Sequence, residues 1–150
     1  MRIRIILTNE DKIRIVEFIT AFVALAIGGL IYVLYRSDNL LMFEWFQRIG
    51  ISNIIRDMRE NTETQNLYGW VKNSMPAGLW LLSYLFVIDS IWWREKHTIY
   101  YIFIYVLPFL AICSEFLQFF GIMPGTFDIS DLLSYVLAFL LFIIIKKIQL

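Results

Sequence analysis

One cysteine in 150 residues excludes an intramolecular disulfide. Cys113 lies in an apolar run, where a lone thiol serves as a small packing residue. Histidine is equally scarce. His97 stands in the polar stretch 94–98 with no partner at metal-ligand spacing, so it reads as a solvated turn residue. With no histidine near the other polar groups and no Ser/Lys motif, there is no nucleophile–base pair, which disfavours a covalent hydrolase. Neither sign of charge is in excess, since 13 basic residues meet 13 acidic ones. No basic stripe and no RNA or DNA motif is present, and nucleic acid is set aside as a partner. No cofactor and no dedicated metal are expected.

What the chain has in excess is apolar surface. Hydrophobic residues make up 59% and aromatics 17%, and the mean hydropathy is +0.67. Soluble domains are about 45–50% apolar. The excess is gathered in runs close to the ~20 residues that cross a bilayer, so this is an integral membrane protein with the lipid bilayer as its first partner. The patterning predicts an all-α fold, an integral membrane four-helix bundle forming one domain over 1–150. Spans fall at about 15–35, 76–93, 99–120 and 129–145. The first is too long for a signal-peptide core of about 7–15 residues and has no Ala-x-Ala site after it, so it reads as retained. Thr8 and Asp11 look like a helix start ahead of it. Ala24 and Gly28, with Gly29 beside them, form a small-residue surface for close helix packing.

Residues 36–75 are the one long connection. Leu41, Met42, Trp45, Phe46 and Ile49 recur at helical spacing, and the pattern restarts after Gly50 with Ile51, Ile54, Ile55 and Met58. Arg56, Asp57, Arg59 and Glu60 oppose them, which predicts short amphipathic interfacial helices over about 39–60. Ser74 suits an N-cap and Pro76 a first helical turn. Asp89 falls inside the second span near its end, within reach of Lys12, Arg14 or Lys96. Trp92 and Trp93 read as interfacial anchors, and Pro108 should bend the third span. With the start inside, eight basic residues (2, 4, 12, 14, 94, 96, 146, 147) are cytoplasmic and five (36, 48, 56, 59, 72) lie outside. That asymmetry puts both termini in the cytoplasm.

The polar groups hardest to dismiss cluster around the turn between the last two spans. Glu115 and Gln118 share a helical face. Asp128 and Asp131 repeat the spacing beyond Gly121-Ile122-Met123-Pro124-Gly125. Asp128 also has the place of a helix N-cap, with Asp131 in the first turn. Arg56, Arg59 and Lys72 are nearby cations able to reach these acids. A carboxyl inside a span must be protonated, paired or wet. The group therefore admits three readings: a binding site for a lipid head or glycan, a pair of catalytic carboxylates on a lipid-linked substrate, or a clasp between helices.

Glu115-x-x-Gln118, the glycine/proline turn and Phe127-Asp128-x-x-Asp131, with four spans and a polar approach to the second, resemble the VanZ-like family. The resemblance covers the second to fourth spans, about half of the chain. Its elements are short, but their order and separation agree. The chain departs from the family at two points. Family members often carry an arginine just before the D-x-x-D element, where this chain has Pro124-Gly125-Thr126. The Asp-Lys-x-x-His approach to the second span reads Val71-Lys72-Asn73-Ser74-Met75-Pro76 here. The resemblance thus implies a divergent member in which Asn73, Lys72 or Arg56 fill the lost roles. It also implies a small bacterial protein of the inner (cytoplasmic) membrane, an envelope context and an association with glycopeptide antibiotic resistance.

The preferred reading is an outward-facing acidic pocket that binds an amphiphilic or lipid-linked ligand through Glu115, Gln118, Asp128, Asp131, Arg56, Lys72 and Asn73. The alternatives are an intramembrane enzyme using Glu115 and Asp131, with or without a divalent metal, and a structural assembly subunit.

Overall fold

The computed structural model describes residues 8–62, 68–93 and 97–149. The alternating start of the chain, part of the polar loop after residue 60, and Arg94, Glu95 and Lys96 lie outside the described residues. Among the described residues there are seven helices and no strand: α1 (Asn9–Tyr35), α2 (Leu41–Arg48), α3 (Ser52–Thr62), α4 (Gly69–Asn73), α5 (Met75–Ile91), α6 (Thr98–Phe119) and α7 (Ile129–Gln149). Helices α1, α6 and α7 have 27, 22 and 21 residues and are apolar enough to cross a membrane, so this is a membrane protein. Apolar α5 has 17 residues. At 1.5 Å per residue α5 is about 25 Å long and α1 about 40 Å.

α1 starts well before residue 15 because a capping box fixes its beginning. Thr8 Oγ1 accepts the Asp11 N–H and Asp11 Oδ2 accepts the Thr8 N–H, both at 3.1 Å. Its buried face is Glu17, Ala21, Ala24 and Gly28, a helical stripe laid against α5. A Cβ on Gly28 would stand 2.8 Å from Trp80 Nε1, whereas Gly29 faces open space. The small-residue surface is therefore Ala24 and Gly28 without Gly29, and it is used within the chain.

α5 packs against α1, α6 and α7, which explains why it is the most buried of the apolar helices. Leu81, Leu85 and Phe86 meet Ala21 of α1, Ile104 of α6, and Ala138 and Phe142 of α7. A Cβ on Gly78 would lie 2.9 Å from the Ser134 carbonyl oxygen, so α5 and α7 touch backbone to backbone there. Trp70 of α4 closes the same corner by donating Nε1–H to Ser134 Oγ at 3.0 Å. Pro76 occupies the first turn of α5 as expected. Ser74 holds the N-cap position but makes no side-chain cap bond, and its Oγ is buried without a partner. The chain is already helical at Ser74 (φ −108, ψ −33), because α4 runs straight into α5. Trp92 and Trp93 are half-buried and pack against protein. Trp92 stacks on Phe103 with centroids 5.5 Å apart, and the Trp93 ring lies 4.4 Å from Lys146 Nζ.

Candidate functional site

Helix alternation brings two polar groupings to opposite ends of the molecule. At one end α6 stops at Gly121, whose φ of +67 is natural for glycine. The Gly121 N–H reaches the Gln118 carbonyl and the Ile122 N–H the Leu117 carbonyl. This is a Schellman closure that satisfies the last carbonyls. Gly125 then passes so close to Gln118 that a Cβ would sit 2.8 Å from its Cδ. Asp128 Oδ1 accepts the Ser130 N–H at 2.8 Å and so caps α7. Buried Glu115, 4% exposed, accepts the Asp128 N–H through Oε2 at 3.4 Å. Asp131 stands in the first turn of α7, and its Oδ1 is buried with no hydrogen-bond partner. The turn thus joins Glu115 to Asp128 and Gln118 to Gly125. Asp128→Ala should cost about 1 kcal/mol of stability, the usual value of a lost N-cap, with Asp128→Asn close to neutral in a thermal melt.

The cations expected to reach these acids go elsewhere. Arg56 Nε lies 3.9 Å from Glu60 Oε1 with both side chains largely exposed. Lys72 Nζ sits 5.5 Å from the centroid of the Tyr35 ring, and Asn73 is exposed at the end of α4. Arg59, the third of them, is also turned away from the acids and serves as an anchor. It donates to the Val33 carbonyl at 2.8 Å, pairs with Asp38 at 2.7 Å and covers the Phe43 ring at 4.9 Å. It therefore ties α3 to the C-terminal turn of α1, where free carbonyls attract a cation.

Beside this anchor lies an open hollow of about 340 Å³ lined by Asp38, Gln47, Ser52, Asn53, Arg56 and Arg59. α2 turns Gln47 to the hollow and leaves Leu41 and Trp45 exposed, as are Ile49 at its C-cap and Ile54 of α3. Two guanidinium groups, one carboxylate, two amides and a hydroxyl supply both donors and acceptors. Among the described residues no three His, Cys, Asp or Glu side chains are placed to hold a metal.

The opposite end holds the most buried charges. Lys146 Nζ of α7 lies 2.7 Å from Glu17 Oε1 of α1 and 2.7 Å from Asp89 Oδ2 of α5. It also donates to Gln149 Oε1 at 2.9 Å. Tyr100 of α6 donates its hydroxyl to Asp89 Oδ1 at 2.6 Å. Glu17 and Asp89 are 1% and 0% exposed, so one ammonium serves two carboxylates away from solvent. Asp89 thus pairs with Lys146 of α7 and with Tyr100, while Glu17 and Lys146 take roles that charge and span boundaries alone leave unassigned. The spacing 17, 21, 24, 28 is the signal that points Glu17 inward, because it puts the acid on the small-residue face.

No family model, no curated protein and no solved structure matches the chain.

Proposed function

We propose that the chain is a VanZ-like envelope protein in which α5 crosses as a fourth span and both termini are cytoplasmic. Its outward end then holds an amphiphilic or lipid-linked ligand. The observation that carries this reading is the hollow between α2 and α3. Its mixed donors and acceptors suit a glycan or phosphate-bearing head, and the exposed Leu41, Trp45, Ile49 and Ile54 give the ligand's apolar part a path into the bilayer. Arg56 is the residue that both the sequence and the hollow nominate, and it is exposed enough to be replaced without disturbing packing.

In this reading Glu115 and Asp128 clasp the α6–α7 turn. The unpartnered Asp131 Oδ1 is what favours the second reading, in which Glu115 and Asp131 act as paired carboxylates on a lipid-linked substrate.

Native mass spectrometry of the protein, released gently from its own membrane, separates the two. The wild type should carry a defined ligand mass that Arg56→Gln loses and Asp131→Asn keeps. Loss in Asp131→Asn alone moves the site to the acids. Bare protein in all three cases removes the binding reading.

A further inference from the structure

The end opposite the proposed outward site has a second hollow, of about 410 Å³, in the groove between α6 and α7. Its polar rim is Lys146 and Lys147 with Tyr101 and Tyr105, and its apolar wall includes Phe139 and Ile143. We propose that this groove is a binding site for an anionic phospholipid of the leaflet at that end.

Three observations carry the proposal. The first is charge. The charged residues lining the groove are Lys146 and Lys147; buried Glu17 and Asp89 neutralise Lys146, and exposed Lys147 has no carboxylate partner among the described residues. A ligand in the groove therefore meets ammonium and phenol donors, which complement phosphate. The second is rigidity. Lys146 is held by Glu17, Asp89, Gln149 and the Trp93 ring, which take up its three N–H groups, so it fixes the end of α7 and leaves Lys147 as the ammonium that meets a ligand. Lys147, one residue on and exposed, adds a charge at the mouth. The third is register. Tyr101 and Tyr105 follow each other by one turn on α6, with Phe139 and Ile143 likewise spaced on α7. Tyr105 meets Phe139 edge to face, with centroids 6.0 Å apart. The apolar wall runs from the lysines toward the middle of α7, as an acyl chain does beneath its phosphate. A free phosphate would use the rim and leave this wall uncovered, so the lipid is the ligand that fits both.

The test uses the full-length protein in mild detergent with added phosphatidylglycerol or phosphatidylcholine, read by native mass spectrometry. Wild type should retain phosphatidylglycerol in preference. Lys147→Gln should reduce that preference about fivefold, the worth of one lysine near an anionic surface. Ile143→Trp, at a position 44% exposed, fills the groove without changing charge and should lower retention of phosphatidylglycerol, with the melting temperature in lipid-free detergent kept. Equal retention of both lipids by wild type overturns the proposal. So does unchanged preference in Ile143→Trp, which would leave only general attraction to basic residues. Displacement of the lipid by millimolar inorganic phosphate would overturn the lipid in favour of a bare anion site.

Discussion

Lys146→Met should lower stability by about 3–5 kcal/mol, the cost of removing one partner from a buried ion pair. In a chain of this size that corresponds to a fall in melting temperature on the order of 10 °C in mild detergent. Taking away the ammonium leaves Glu17 and Asp89 facing each other out of water, with Tyr100 still on Asp89. The control is Lys147→Met, one residue on and exposed, which should change stability by less than about 0.5 kcal/mol. The triple variant Glu17→Gln, Asp89→Asn, Lys146→Met should recover most of the loss, because a neutral set has no charge to desolvate. A thermal melt of the four proteins checks the pattern. A Lys146→Met loss no larger than that of Lys147→Met would mean that the buried charges do not hold the four helices together.

Gly78→Val should be the most damaging of the changes at the helix glycines. The added side chain meets the Ser134 backbone at 2.9 Å, and backbone cannot swing aside as a side-chain tip can. Overpacking of this kind costs about 1–3 kcal/mol or more. It would also push α7 away from Trp70 and break that hydrogen bond. Gly28→Ala should be milder, since its closest neighbour is the Trp80 ring, although the Pro76 carbonyl at 3.2 Å limits the relief. Gly29→Ala, in open space, should be neutral or stabilising by up to about 1 kcal/mol through helix propensity. Melting temperatures ordered Gly29→Ala, Gly28→Ala, Gly78→Val from highest to lowest are the expected outcome. Equal effects at the three positions would contradict the close approach of α5 to α7.

The apolar runs made the long helices legible, since length and hydropathy decide them with no knowledge of tertiary structure. The amphipathic pattern after residue 40 likewise resolved into α2 and α3. Capping chemistry set two boundaries, at Thr8 and at Asp128, and the second of these shows how an acid that looks like a ligand can be serving its own helix. What stayed hidden was long-range pairing. Glu17 and Lys146 are 129 residues apart, and each sits near the end of its apolar run, where charge ordinarily meets water. Arg59 shares its helix with Arg56, and nothing local marks it as the one that reaches back to Val33. The α2–α3 hollow depends on that contact, so it was not legible either. Asp89 stood out as an acid within a span, but its partner lay on a helix that only the order of the spans brings near.

A crossing α5 places the α2–α3 hollow on one side of the membrane and the Lys146 cluster on the other. The direct test replaces Cys113 with alanine and introduces one cysteine at a time, at Asn53 in α3 and at the exposed Ile148 near the end of α7. Intact cells are then treated with a membrane-impermeant maleimide. Four spans predict that position 53 is labelled from outside and that position 148 is labelled only after the membrane is opened. Labelling of both positions from outside would mean three spans, with α5 not crossing, and would contradict the account.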